Sequence, residues 1–230
     1  MHFHLITLFP KAFDSYLGES ILKRALEDKK IKVSFYNPRD FVKDKWRRID
    51  RPPYAGGPGM VIQTEPVVKA IAAAIARSQK QVASSKKNST SYSILPAPKI
   101  IFLSPSGKQF TNQYAQTISK KYKHVIIVCG RYEGIDARVK KIFKMEEVSV
   151  GPFVLTGGEL PAMLMMDVMA RRIPGVLGNI DSLEERRVAS SEVYTRPEVF
   201  KYKGKNYRVP KILLSGNTAK IEEWKKGKRG

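Results

Sequence analysis

The sequence predicts an α/β fold built on a mostly parallel sheet. Short runs rich in β-branched residues, KIIFL at Lys99–Leu103 and HVIIVC at His124–Cys129, are typical of strands buried on both faces of such a sheet. Segments with helical periodicity lie before and between these runs, and alternation of strands with helices is the pattern of α/β layers. With 230 residues, 42% of them apolar, the chain is long enough to bury one substantial core.

The N-terminal part supplies two more strands, at Phe3–Phe9 and Ile31–Tyr36. Between them Phe13, Leu17 and Ile21 recur at intervals of four, so they share one face of a helix. These segments predict a strand–helix–strand unit at the start of the chain.

Two further helices are predicted from the same periodicity. One follows Thr64 and has Pro66 in its first turn, a position where the missing N–H of proline costs nothing. The other is marked by Tyr114, Ile118 and Tyr122, between the two buried strands.

Leu160–Arg172 is predicted to be a helix that is apolar nearly all round. Its methionines are Met163, Met165, Met166 and Met169. Such a helix is either buried in the core or both packed on the core and part of a subunit interface, and the sequence fits both interpretations.

The chain is predicted to divide into two domains. Residues 1–177 form the α/β domain, in which Ser78–Pro98 lacks any apolar period and is expected to be a flexible surface insertion. Polar residues 178–192 form a linker, and residues 193–230 form a small, basic and mainly helical domain. Aromatic residues are interleaved with its basic residues: Tyr202, Tyr207 and Trp224.

The charge balance favours a nucleic-acid partner. Lys and Arg number 42 against 21 Asp and Glu, a net charge of +21. Such an excess suits a polyanion, because each phosphate neutralised by a basic side chain releases counterions. No apolar run approaches membrane-spanning length, so no membrane partner is expected and the expected location is the cytoplasm.

The residues that commonly hold metals are few. The single cysteine, Cys129, excludes an internal disulfide and a cysteine-rich zinc site. The three histidines, His2, His4 and His124, show no metal-ligand spacing, and His2 and His4 share a strand face as packing residues commonly do. No protein metal site is therefore predicted, and no glycine-rich phosphate-binding motif is present either.

Turns rich in glycine or proline follow several apolar runs, and glycines there let a ligand approach the backbone closely. These turns are Tyr54–Met60, Leu103–Gly107, Gly130–Gly134, Thr156–Glu159 and Ile173–Gly178. Any one alone is only a turn, but several at strand ends indicate a binding site. The polar candidates nearby are carboxylates and arginines, among which general chemistry does not choose: Asp50, Arg131, Glu133, Asp136, Glu159, Arg171, Glu184, Glu185 and Arg196.

Seven motifs in this order resemble those of the bacterial tRNA (guanine-N1) methyltransferases of the SPOUT class. They are PYAGGPGMV, LSPSG, CGRYEGIDARV, VSVGPFVLTGGELPA, RIPGVLGN, YTRPEV and VPKILLSGN, and they span nearly the whole chain except Ser78–Pro98. The resemblance implies a trefoil knot in residues 1–177, with S-adenosylmethionine bent inside it. It also implies a homodimer with the active site at the subunit interface, and methylation of the guanine just 3′ of the tRNA anticodon, with a divalent ion such as magnesium.

Carried over by position, the resemblance assigns the cofactor mainly to backbone groups at strand ends, with Glu133 balancing the positive sulfonium. The implied cofactor residues are Leu103, Ser104, Pro105, Gly130, Tyr132, Glu133, Gly134, Ser149, Val150, Gly151, Leu155, Gly157, Gly158 and Pro161. The implied tRNA contacts are Tyr54, Gly57, Pro58, Gly59, Ser182 and Arg196.

Methylating N1 of guanine requires a base for the N1 proton and a cation for the charge that develops on O6. Arg171 matches the family arginine. The family's catalytic aspartate does not match, because Arg186 stands at its position in Ser182–Arg186. We favour Glu185 as the base, with Glu184 as the alternative.

Two other functions stay open at this point. One is a methyltransferase of the same class acting on ribosomal RNA, and the other is a tRNA-binding protein with impaired catalysis. The YTRPEV and LLSGN motifs favour tRNA over ribosomal RNA.

Overall fold

A parallel sheet with helices on both faces is the centre of the first part of the chain. The computed structural model describes residues 1–86, 97–178 and 191–228, and side chains within 81–86 are not described. The strands before residue 178 are β1 (His2–Ile6), β2 (Lys32–Tyr36), β3 (Asp50–Arg51), β4 (Val61–Ile62), β5 (Lys99–Gln109), β6 (His124–Val128) and β7 (Glu146–Ser149). Five of them form one sheet in the order β2-β1-β6-β5-β7, parallel throughout, and β3 and β4 form a separate antiparallel pair.

The helices of this part are α1 (Asp14–Leu17), α2 (Ser20–Glu27), α3 (Thr64–Lys86), α4 (Asn112–Lys121), α5 (Arg138–Ile142) and α6 (Glu159–Ala170). Alternate residues of the strands point to opposite faces, so the core has two halves. Phe3, Leu5 and Ile127 pack with α1, α2, α4 and α6 on one face. Ile6 and Ile126 pack with α3 and α5 on the other. These residues therefore form a three-layer α/β arrangement, and the predicted α/β class with a mostly parallel sheet is confirmed.

The predicted strands β1, β2, β5 and β6 and the predicted helices α3, α4 and α6 are confirmed. The predicted helix through Phe13, Leu17 and Ile21 is wrong in one respect. It is broken into α1 and α2, because the chain turns at Gly18 and Ser20 takes a positive φ of 52°. Strand β7 was not predicted, since a four-residue segment that begins Glu146–Glu147 shows no apolar run.

The segment Ser78–Pro98 differs from its predicted form at its start. Helix α3 continues through residue 86, and Ser78 is buried and donates its hydroxyl to the carbonyl of Ile75. The remainder of this segment, residues 87–96, lies outside the described residues.

Strand β5 runs beyond its predicted end, and the LSPSG motif is a bulge within it. Leu103 and Lys108 both pair with Val148 of β7, so the four residues between them project from the sheet. A Cβ on Gly107 would lie 2.5 Å from the Val148 backbone nitrogen, so only glycine fits at the return point.

Residues Met1–Leu177 and Gly178–Gly230 are separate compact units. In the described part of the second unit, β8 (Val199–Tyr202) and β9 (Lys205–Arg208) form an antiparallel hairpin, followed by α7 (Thr218–Gly227). Residues Lys203 and Gly204 have positive φ, as a two-residue hairpin turn requires. The prediction of a mainly helical domain missed this hairpin, whose side chains are nearly all exposed and give no apolar alternation.

Candidate functional site

A cavity of about 460 Å³ opens at the carboxyl ends of β5, β6 and β7. Parallel sheets commonly bind ligands at these ends. Every residue that the family pattern assigns to the cofactor lines it. Other lining residues were not predicted as cofactor contacts: Phe102, Arg131, Ile135, Ala137, Lys140, Val148, Phe153, Val154 and Thr156. Most of these adjoin predicted residues in the chain, whereas Lys140 reaches the cavity from α5, one residue beyond the CGRYEGIDARV motif.

Glycines give the cavity wall its exposed backbone. A Cβ on Gly130 or Gly134 would meet no atom within 4 Å, so at these positions the backbone is open to a ligand. Gly158 differs, because a Cβ there would lie 2.6 Å from the Cα of Cys129. Its role is close packing of the two loops, which its N–H supports by donating to the Gly130 carbonyl at 2.9 Å.

A buried ion pair beside the cavity joins three segments that are distant in sequence. Glu159 is only 3% exposed, and it accepts hydrogen bonds from Arg131 Nε at 2.8 Å and from the Thr7 hydroxyl at 2.7 Å. Arg131 also donates to the Thr156 carbonyl and lies over the Phe9 ring. Because Glu159 is the first residue of α6, its negative charge is further favoured by the helix dipole. The pair therefore fixes the loop after β6 against the start of α6.

Cys129 lies against this ion pair and is 3% exposed. Burial raises the pKa of its thiol well above the usual value, and the negative charge of Glu159 raises it further, while Arg131 acts in the opposite direction. The thiol therefore stays neutral and acts as an apolar packing group.

The Tyr54–Met60 loop is joined to the cavity at Glu133. The Glu133 N–H donates to the Met60 carbonyl at 3.1 Å, and the Ile62 N–H donates to the Gly134 carbonyl at 3.0 Å. Gly59 has a φ of +83°, and a Cβ there would lie 2.4 Å from Glu133 Oε1, so glycine is required for this contact. The loop assigned to the substrate thus lies beside the residues assigned to the cofactor.

Within the described part of the chain, the cavity wall carries three charged side chains, those of Arg131, Glu133 and Lys140. Arg131 is paired with Glu159, and Lys140 with Glu147 at 2.9 Å. Among the described residues Glu133 has no cationic partner within salt-bridge distance. Its carboxylate is therefore the group in this wall best suited to a positively charged part of a ligand.

Asp136 closes the CGRYEGID segment. It accepts hydrogen bonds from the Arg138 backbone N–H at 2.9 Å and from the Arg138 guanidinium at 2.7 and 3.0 Å. The bonds from the Arg138 side chain are the main cause that lowers the pKa of Asp136 to about 2 despite the opposing effect of burial. Asp136 therefore carries its charge at neutral pH and anchors the loop to α5.

The predicted catalytic residues are not all brought to this cavity. Arg171 follows the last residue of α6, is half-buried, and is not among the cavity-lining residues of its own chain. The predicted bases Glu184 and Glu185, with Ser182, lie outside the described residues.

The remaining predicted substrate contacts are exposed. Tyr54 is 97% exposed, and Gly57 and Pro58 lie beside it on the same loop. Arg196, in the second unit, is exposed and precedes Pro197 through a cis peptide bond. None of the described helices is long and apolar enough to cross a membrane.

Comparison with known proteins supplies the family. A family model described as tRNA (Guanine-1)-methyltransferase TrmD matches residues 1–230. Proteins named tRNA (guanine-N(1)-)-methyltransferase are similar to this chain. One from Campylobacter jejuni subsp. doylei is 41% identical over 98% of this chain and 90% of its own length. Those from Clostridioides difficile and Dictyoglomus turgidum are 40% and 42% identical, over 98% and 96% of this chain and 91% and 82% of their own lengths.

These matches extend over essentially the whole chain, including the loops that line the cavity and the ion pair beneath them. The chain belongs to the tRNA (guanine-1)-methyltransferase family.

Proposed function

We propose that the protein transfers a methyl group from S-adenosylmethionine to N1 of the guanine just 3′ of the anticodon, position 37, in tRNA. The observation that carries the proposal is one cavity lined by every position that the family pattern assigns to the cofactor. Its volume of about 460 Å³ lies within the usual range of roughly 300–1,000 Å³ for small-molecule sites.

The chemistry of the cavity wall fits the cofactor. Open backbone at Gly130 and Gly134 can form hydrogen bonds with an adenine or a ribose. The Glu133 carboxylate fits a positive sulfonium, and Phe153 and Leu155 offer apolar surface. When bound, S-adenosylmethionine supplies an electrophilic methyl group on a positively charged sulfur.

In this mechanism the protein positions guanine N1 and manages its proton. The Tyr54–Met60 loop holds the guanine against the Glu133 side of the cavity. Alignment of N1 with the methyl group supplies part of the rate enhancement. Glu185, or Glu184, accepts the N1 proton, and the Arg171 guanidinium stabilises the negative charge that develops on O6.

We also propose a homodimer in which each site takes residues from both subunits. The 12-residue helix α6 places Arg171 about 18 Å along its axis from Glu159 beside the cavity, farther than an arginine side chain reaches. This distance supports a site in which the arginine comes from a second copy of the chain. Leu160 and Leu164 support an interface on α6, because they are 59% and 42% exposed on one side of this helix.

Further parts of the proposal rest on the family. One part is a trefoil knot in residues 1–177, with the loops after β6 and β7 and the bulge of β5 around the cofactor cavity. The second unit grips tRNA, magnesium assists transfer, and the protein acts in the cytoplasm, where tRNA is modified.

Labelled S-adenosylmethionine tests the reaction directly. The substrates are tRNA transcripts with guanine at position 37, the same transcripts with adenine there, and ribosomal RNA. We expect label only in the first set, with 1-methylguanine as the product. Label confined to ribosomal RNA would reassign the substrate, and binding of tRNA without label in any RNA would indicate a tRNA-binding protein with impaired catalysis.

A further inference from the structure

His2 and His4 of β1 meet His124 of β6 at the end of the sheet where these two strands begin. His2 and His124 are direct partners in the parallel register of these strands, and His4 lies two residues along β1 on the same face. One ring nitrogen from each lies within 4.8 Å of one from each of the others. These are all the histidines of the protein.

We propose that His2, His4 and His124 form a binding site for a transition-metal cation, with Zn²⁺ as the fitting ion. His4 Nε2 and His124 Nδ1 are 3.1 Å apart, close to the roughly 3.3 Å between two nitrogens on a tetrahedral zinc with bonds of about 2.0–2.1 Å. The His2 ring is stacked on the His4 ring at 4.0 Å, so a modest rotation brings in the third nitrogen.

Hydroxyl groups of β2 hold two of these rings in place. His4 Nδ1 is 2.9 Å from the Tyr36 hydroxyl, and His2 Nε2 is 2.9 Å from the Ser34 hydroxyl. In metal sites a ligating histidine is normally oriented by such a hydrogen bond at its other nitrogen, which is the arrangement that the Tyr36 contact gives His4.

The three histidine rings differ in their exposure to solvent. His4 is fully buried and His2 is 5% exposed, while the half-buried His124 leaves a route from solvent. Arg77, Lys123 and the N-terminal amino group lie near these rings and oppose a dication, which weakens zinc binding.

This histidine site is distinct from a site for the magnesium that the family implies. Magnesium prefers oxygen ligands, whereas imidazole nitrogens suit zinc, nickel and copper. The histidines also lie where the strands begin, while the cavity lies at their opposite ends. A bound ion would link β1 to the central strand β6 and act on stability.

Untagged protein treated with a chelator tests the site, using Zn²⁺ alone as the probe. We expect one equivalent of zinc to bind per chain by calorimetry, and the thermal unfolding temperature to rise with zinc. Co²⁺ in place of zinc should give the absorption spectrum of a four-coordinate site.

His124→Gln is the decisive variant, because His124 is the least buried of the three. Its affinity for zinc should fall at least about 10-fold. The matched control, Lys123→Gln, changes the adjacent residue, removes an opposing cation and should retain or strengthen binding. Absence of zinc binding by the wild type up to about 1 mM, or equal affinity in wild type and His124→Gln, would overturn the proposal.

Discussion

At the scale of single residues, Cys129 reports on the packing beside the cavity. Its thiol is buried, its pKa is raised, and it is the chain's single cysteine, so thiol labelling gives one unambiguous signal. We expect the native protein at pH 8 to react with a disulfide reagent at least about 100-fold more slowly than the unfolded chain. The unfolded chain should consume one equivalent. Rapid labelling of the native protein would mean that the loops after β6 and before α6 separate readily.

The catalytic base is also a question about single residues. Glu185→Gln keeps the size of the side chain but removes the proton acceptor, so methyl transfer should fall by roughly 10²–10⁴-fold. Affinity for S-adenosylmethionine, measured by calorimetry, should be unchanged. Glu184→Gln is the matched control and should transfer methyl groups normally. If Glu184→Gln alone is inactive, the base is Glu184, and if both variants are active, neither carboxylate is the base.

At the scale of elements, the ion pair Arg131–Glu159 connects the loop after β6 to helix α6. Removing one partner of a buried pair leaves an uncompensated charge, which costs about 3–5 kcal/mol. Arg131 is 26% exposed, so we expect Glu159→Gln to lower the free energy of unfolding by about 2–3 kcal/mol, measured by urea denaturation. Affinity for S-adenosylmethionine should fall as well, because both connected segments line the cavity.

Glu65→Gln is the control for this experiment. Glu65 pairs with Lys69 on α3, but its side chain is 75% exposed, so the substitution should leave the free energy of unfolding nearly unchanged. Equal losses in Glu159→Gln and Glu65→Gln would show that burial of the pair does not contribute to stability.

The elements that the sequence predicted share a clear local signal. Strands β5 and β6 are runs of β-branched and aliphatic residues, and α6 is a long apolar segment, so burial of the element itself is visible in the sequence. Strand β7 and the hairpin β8–β9 lack that signal, because much of their surface is polar or exposed. Their pairing depends on contacts with other segments.

The candidate site also has parts that the sequence predicts and parts that it does not. Turns rich in glycine mark the backbone of the cavity, and the family motifs identify its lining residue by residue. Arg131 and Glu159 are 28 residues apart, and His4 and His124 are 120 residues apart, so their contacts arise only when parallel strands are placed side by side. No spacing rule along the chain could predict either cluster.

At the scale of the whole molecule, the positive charge is spread over both units. Residues 178–230 hold 13 of the 42 Lys and Arg and 7 of the 21 Asp and Glu, so most of the excess lies in residues 1–177. One concentration there is the segment Lys43–Arg51, which has five basic residues around Trp46, a side chain that is 70% exposed. Exposed aromatic and basic side chains together suit an RNA loop and its phosphates.

The salt dependence of tRNA binding tests whether both units bind phosphates. Each phosphate that the protein no longer neutralises should reduce the slope of log affinity against log salt concentration by about 0.7–0.9. We expect a slope smaller by roughly 2 when three basic residues are replaced by glutamine in either unit. The sets are Lys43, Lys45 and Arg47 in the first unit and Lys201, Lys203 and Lys205 in the second.

The control is a third set with the same change of charge, Lys23, Arg24 and Lys29, which are exposed at helix α2 and its C-terminal turn, away from the cavity. Replacing this set lowers only the overall positive electrostatic potential of the protein. It should therefore change the slope by less than about 1. Affinity for S-adenosylmethionine should be the same in all three. If the hairpin set behaves like the control set, the hairpin does not bind phosphates, and the excess charge of the first unit alone accounts for the attraction of tRNA.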